Sequence, residues 1–271
     1  MTQPTQDAPS AKSKVNTQFS QTADGYRTSQ VHAQGPEFAH LLQAANFQGH
    51  ETVIDAGCGA GHTAAHVAPH VKAVLAVDLS SAMLQQAERV CTERGATNVS
   101  FIQGDVETLD TIISAAFPTA TPAPIDAVVS RFSAHHWPHP PTALAAFQRI
   151  LAPTGGRVFL VDVVSLDDFV YDTHLQAIEL LRDPSHIRDH SIAQWVRMFD
   201  EAGFAAQPIY TWDLAIEFDD WITRMQTPPG ETQTIRNLFD GAPDEVCRHF
   251  NLGAGSHSFT LPCAVIQAEL R

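Results

Sequence analysis

The sequence predicts an α/β fold in which a mostly parallel sheet is covered by helices on both faces. Three observations carry this. From residue 52 to residue 163, short apolar runs alternate with helical stretches, the rhythm of strand–helix–strand crossovers. A turn with three glycines, within VIDAGCGAGHTAA, follows the first run. Asp55, Asp78, Asp105 and the segment after Ser130 all fall where strands finish, the side on which such sheets bind ligands.

Element by element, residues 1 to about 16 are polar, proline-containing and aperiodic, which reads as a disordered tail ahead of a single domain over residues 17–271. Phe19–Phe47 is helical in pieces, broken at Gly35-Pro36. Thr52–Asp55 is a buried strand, and a helix opens at Gly61. Val74–Val77 is the second strand. Ser80 or Ser81 caps a helix whose Met83, Leu84, Ala87, Val90 and Cys91 share one face, and Gly95 ends it. Val99–Ile102 and Ala127–Ser130 are the third and fourth strands, with a proline-rich loop, Pro118–Pro124, between them. Thr142 caps a helix carrying Leu144, Phe147, Ile150 and Leu151. A turn at Pro153–Gly156 leads into the fifth strand, Arg157–Val163.

Beyond that strand the rhythm loosens. Residues 167–190 hold a helical stretch, and Ser191 caps a helix that Gly203 ends. Ala205–Phe218 and Ser258–Leu270 are two long strands, and Pro262 asks for an edge or a bulge in the second. The helical insert Asp219–Asn251 packs as a lid or as a dimer surface, which leaves a homodimer open. Residues 17–48, 167–190 and 219–251 are the expected cap elements.

Composition narrows the function. The 271 residues can bury a sizeable core, and 44% hydrophobic with 17% charged residues suits a soluble globular protein. A formal charge of −14 repels phosphate backbones and anionic lipid, so neither nucleic acid nor membrane is an expected partner. No apolar run is long enough to span a bilayer, and the first residues lack the apolar core of a signal peptide. Cys58, Cys91, Cys247 and Cys263 show no CxxC spacing, so neither a disulfide framework nor a zinc site is indicated and a cytoplasmic location fits.

The glycine turn narrows it further. A dinucleotide site needs G-x-G-x-x-G, and here His62 stands at the third position after Gly57 and Gly59. The loop has no Lys or Arg and begins with Asp55, a poor neighbour for a pyrophosphate. A cationic sulfonium bearing an α-amino group would welcome that carboxylate. Asp78 can accept from both ribose hydroxyls, and Asp105 from an adenine amino group. Any one acid is an ordinary loop cap. Three at successive strand ends beside this loop point to S-adenosylmethionine.

The segments VIDAGCGAGHTA, AVDLSSAML, FIQGDVETL, DAVVSRFSAHHW and RILAPTGGRVFLVD, with FSQTADGYRTSQVHAQG upstream, resemble class I S-adenosylmethionine-dependent methyltransferases. The likeness is greatest to the branch of ubiquinone/menaquinone-biosynthesis C-methyltransferases and related small-molecule enzymes, and it covers about residues 19–205. It implies a Rossmann-like seven-stranded sheet whose last strand, Ser258–Leu270, runs antiparallel. It also implies that Asp55, Ala56, Gly57, Cys58, Gly59 and Gly61 line the methionine part of the cofactor. Asp78, Leu79 and Met83 would bracket ribose and adenine, and Gly104, Asp105 and Val106 the adenine edge. Ser130 and Arg131 would pass beneath the sulfonium through main-chain atoms, and Tyr26 would close over it.

Methyl transfer is then mainly alignment, worth several kcal/mol without a covalent catalyst. A general base is needed only for an acceptor that arrives protonated. His135 and His136, directly after the fourth strand, are the candidates, with a purely structural hydrogen bond as the alternative for each. Phe19 and His32 belong to the segment that shapes the acceptor pocket. His186 and Arg188 reach over the site to hold an acidic or carbonyl substrate, or belong to a solvated ion-paired loop. Arg131 reads as a loop anchor rather than a catalytic cation. His62, His66 and His70 recur every four residues with no carboxylate or cysteine in that helix, which favours an exposed face over a metal site. Cys58 reads as a small loop residue, and Trp195, Phe199 and Ile192 as core. A cofactor-binding protein without transfer activity, such as a regulatory module or a cyclase, is the competing reading. A nicotinamide reductase is opposed by the glycine spacing, and no tyrosine is followed four residues later by lysine.

Overall fold

The computed structural model describes residues 10–116, 125–253 and 255–271. The proline-rich loop Pro118–Pro124 and the first nine residues of the expected tail lie outside them. The seven strands, β1 Thr52–Ala56, β2 Ala73–Asp78, β3 Val99–Gln103, β4 Ala127–Arg131, β5 Arg157–Val163, β6 Phe204–Ile216 and β7 Phe259–Leu270, form one sheet. Their order is β3-β2-β1-β4-β5-β7-β6, with β1 to β5 parallel and β7 antiparallel to both neighbours. The order reverses between β1 and β4, so the chain leaves these neighbouring strands in opposite directions and opens a crevice at their carboxyl ends.

Alternation along the strands assigns the two faces. Ile54, Ala56, Leu75 and Val77 pack under α6 (Leu109–Ala116), α7 (Pro140–Leu151) and α9 (Ile192–Glu201). Val53, Val74 and Ala76 face α3 (Glu37–Ala45), α4 (His62–Val67) and α5 (Ser81–Glu93). Trp195 and Phe199 are fully buried, with Ile192 packed beside them, so they are core. A third core joins α8 (Phe169–Arg182) to the insert helices α10 (Phe218–Met225), α11 (Pro229–Asp240) and α12 (Asp244–His249). The insert's apolar face is thus covered by its own chain.

Several expectations are corrected. The tail is helical from Ala11, because Ser10 Oγ accepts from Ser13 N–H and starts α1, Ala11–Arg27. The short helix α2, Gln30–Ala33, follows it. Of the two expected caps of α5, Ser80 is the one that forms, its side chain accepting from Met83 N–H. The helix expected to start at Thr142 starts at Pro140, where a missing N–H costs nothing at a first helical turn. Pro262 sits at neither an edge nor a bulge: β7 is interior, and the irregularity lies opposite, between Pro208 and Tyr210. The Pro262 carbonyl accepts from Val164 N–H, just past the last β5 pair. Its nitrogen points to that same side, so the missing N–H falls at the end of the β5 ladder and leaves the pairing with β6 intact.

Candidate active site

An open cleft lies at the carboxyl ends of β1 to β4. Of the sequence-predicted residues, Tyr26, Gly57, Cys58, Gly59, Asp78, Leu79, Met83, Gly104, Asp105, Val106 and Arg131 line it, as do Phe19, His32 and His136. Asp55, Ala56, Gly61 and Ser130 form the layer behind. Ser130 Oγ donates to the Ala56 carbonyl at 2.7 Å, tying β4 to β1.

Sterics explain the glycine loop. Gly57 has φ +74°, and a Cβ there would fall 2.0 Å from Ser133 Oγ. A Cβ on Gly61 would meet Ala87 Cα at 2.7 Å, so this glycine lets α4 lie against α5. A Cβ on Gly59 would meet nothing within 4 Å, which leaves that side of the loop open to a ligand.

The acids are arranged in depth. Asp78 on the cleft wall accepts from Gly59 N–H and Ser80 N–H, each at 2.8 Å, and burial pushes its carboxyl up to about 6. Asp55 beneath is 2% exposed, and neither carboxylate oxygen has a partner. Burial, with the Asp78 charge nearby, pushes it up to about 7. Asp105 accepts from Glu107 N–H and from Lys12 Nζ on α1, which also reaches Glu107. The Cys58 thiol is held well above its usual range by burial and the two aspartates, which makes it an inert spacer.

The N-terminal segment forms the roof. Arg131 donates to Glu37 Oε1 at 2.6 and 2.9 Å and to the carbonyls of His32 and Val31, a buried anchor for the chain overhead. His62 Nε2 and His66 Nε2 hydrogen-bond the carbonyls of Tyr26 and Ala33, each at 3.1 Å. His62 is buried and His66 half-buried, so the exposed face expected for these histidines holds only for His70, while His62 and His66 receive the roof. Among the described residues no His, Cys, Asp or Glu group is placed to hold a metal ion.

A second cavity shares Tyr26, His32, Phe132 and His136 with the cleft. His135 lines only this one. Its Nδ1 sits 2.7 Å from Asp162 Oδ1, while Asp162 Oδ2 accepts the amides of Ala134 and His135. Burial alone would lower the His135 pKa, but the Asp162 charge and hydrogen bond outweigh it and push it up to about 9. His136 is lowered to about 4 by burial and by the His135 charge, and its Nδ1 meets the Ser185 carbonyl at 3.2 Å.

Residues 29–208 match a family described as a methyltransferase domain. The chain belongs to the class I S-adenosylmethionine-dependent methyltransferases. It is 35% identical over 259 residues to the uncharacterized methyltransferase YcgJ of Bacillus subtilis, covering 94% of this chain and 98% of that one. The crystal structure of YcgJ superposes with a TM-score of 0.76 at 32% identity, over 86% and 97% of the two chains. An uncharacterized Escherichia coli protein, YafE, is 38% identical over 185 residues, 68% of this chain and 84% of its own.

In this methyltransferase, His186 and Arg188 do not reach either cavity. His186 is buried with Nε2 3.2 Å from Gln176 Oε1, and its pKa is lowered to about 2 by burial and by the His135 charge. Arg188 is tied to Asp172 at 2.6 Å. Both brace the loop after α8 instead of holding a ligand. The residues that sequence reasoning missed are Lys12, hidden in an aperiodic tail, and Asp162, the penultimate residue of β5 at the end of an apolar run. Arg182 and Arg224 on the second cavity were missed as well, since each stands on an amphipathic helix where a cation reads as solvated.

Proposed function

We propose that this methyltransferase methylates a small-molecule acceptor seated in the second cavity, with S-adenosylmethionine in the strand-end cleft. The observation that carries this is the neck of Tyr26, His32, Phe132 and His136, which belongs to both cavities at once. The residues present fit the cofactor. Asp55 leaves a buried carboxylate without a partner under the loop, and Gly59 leaves its side of the loop open. Asp78 would hold the ribose hydroxyls and Asp105 the adenine edge, with Phe19 and Tyr26 overhead to exclude water. The bound cofactor supplies a methyl group on a sulfonium leaving group, so the chain's task is orientation.

Proton handling falls to His136. Donation from Nδ1 to the Ser185 carbonyl leaves the Nε2 lone pair free, and Asp183 Oδ2 stands 3.8 Å from Nε2 to stabilise an imidazolium. His135, charged at neutral pH by Asp162, is a fixed cation and not a base. With its pKa lowered to about 4, His136 is neutral at pH 7 but a weak base, suited to an acidic enol rather than an ordinary phenol. An acceptor that is already anionic would not use it.

Among the described residues no helix is long and apolar enough to cross a membrane, and the four cysteines are free, which agrees with action in a reducing cytoplasm. A second reading has one support: an S-adenosyl-L-methionine-dependent Diels-Alderase of Talaromyces variabilis, iccD, is 34% identical over 111 residues, 41% of this chain and 36% of its own. Incubation with methyl-labelled cofactor and candidate acceptors separates the two. Methyl transfer yields labelled product and S-adenosylhomocysteine together; an isomerised product with intact cofactor would support the cyclase.

A further inference from the structure

The second cavity is lined by two unlike sets of side chains. One is apolar, with Val31, Phe132, Val163, Leu214, Ile216 and Leu261. The other comprises His135, Glu179, Arg182, Asp189 and Arg224. Most of these charges are matched. His135 rests on Asp162, and Arg182 lies 3.5 Å from Glu179 with its Nε donating to the Trp221 carbonyl. Asp189 is 1% exposed with Oδ2 unpartnered, and burial holds its carboxyl well above the usual range, toward the neutral form.

Arg224 is the exception. Its Nε is buried with no acceptor, and among the described residues no carboxylate lies within ion-pair distance of it. A guanidinium cannot escape by losing its proton. An incompletely hydrated cation of this kind is satisfied by an anion with parallel acceptor oxygens. The chain has only 16 Lys and Arg against a net charge of −14, and two of its guanidiniums line this one cavity.

We propose that the second cavity selects acceptors carrying a carboxylate on an apolar or aromatic body. The carboxylate docks on Arg224 beside Arg182, and the body lies against Phe132, Leu214 and Ile216. This rests on reading the adjoining cleft as the cofactor site, since the shared neck is where the acceptor atom would meet the methyl group. Arg182 and Arg224 line the second cavity and not the cleft, so they grip the acceptor away from the reacting end.

The probes are octanoate and phenylacetate, with octanamide as the uncharged control, titrated calorimetrically into the full chain saturated with S-adenosylhomocysteine. Both acids are expected to bind at millimolar concentration or below, with octanamide about tenfold weaker or worse. Arg224→Gln should weaken the acids about tenfold or more, leave the amide unchanged and keep its affinity for S-adenosylhomocysteine; Arg224→Lys should recover part of the loss. Acids that fail to bind, acids and amide that bind alike, or acids that bind Arg224→Gln as well as wild type each overturn the proposal. A loss of S-adenosylhomocysteine binding in Arg224→Gln overturns it too, by assigning the guanidinium to the cofactor. Wild-type protein that does not bind S-adenosylhomocysteine sinks the cofactor reading instead.

Discussion

The cleft at the ends of β1 to β4 and the cavity beneath the cap are neighbours of opposite chemistry. The first is built from loop backbone and three aspartates, each within a few residues of a strand end. The second is built from side chains of α8, α10 and the loops after β4 and α8, with two arginines and a charged histidine. The difference teaches where each kind of specificity is stored. A cationic ligand is met by geometry that the sheet dictates, and an acceptor is met by whatever the cap happens to place.

The largest expected effect severs the roof that both regions share. Arg131→Ala leaves Glu37 charged and buried, and should lower unfolding free energy by about 3–5 kcal/mol in urea titration. A loss well under 1 kcal/mol would show that the roof does not depend on this pair. Next, Asp78→Ala should weaken S-adenosylhomocysteine about a hundredfold by calorimetry, while octanoate binding to the cap cavity persists. Unchanged cofactor affinity would break the assignment of the cleft.

On the cap side, His135→Gln tests the fixed cation. His135 is raised from 6.5 to about 9, so its contribution is fully present below pH 6.5 and is lost as pH rises through about 9. Wild type should therefore lose up to about 3 kcal/mol of stability across that window, and the variant should not. Parallel melting curves with pH would contradict the pairing with Asp162. The smallest effect is Lys12→Ala, about 1 kcal/mol or less for a partly exposed pair, seen as faster cofactor release in stopped flow with unchanged melting temperature.

The same division decides what the sequence could show. The strands, the glycine loop and the three acids are local patterns, readable because β-strand ends and helix caps are short-range chemistry. α1 was hidden because a polar helix of low periodicity is held by tertiary contacts such as Lys12 with Asp105. His62 and His66 read as exposed because nothing local reveals that the carbonyls of Tyr26 and Ala33 descend onto them. His186 and Arg188 were placed over the site because loop polarity does not encode direction; both turn toward α8 instead. Arg182 and Arg224 are two cations on separate helices, 42 residues apart in sequence (224 − 182), brought together only by the packing of α8 and α10.

The proposed cofactor site turns on Asp55, whose unpartnered, buried carboxylate would favour a cationic ligand above it. Its raised pKa makes the ligand-free protein lose stability as pH rises through about 7, and makes cofactor affinity rise over the same range as the proton leaves. The direct measurement is calorimetric titration of wild type and Asp55→Asn with S-adenosylmethionine across that pH range. Wild type should bind more tightly as pH passes about 7, and Asp55→Asn should bind weakly at every pH while melting higher than wild type above it. Equal, pH-independent affinities in the two proteins would contradict the account.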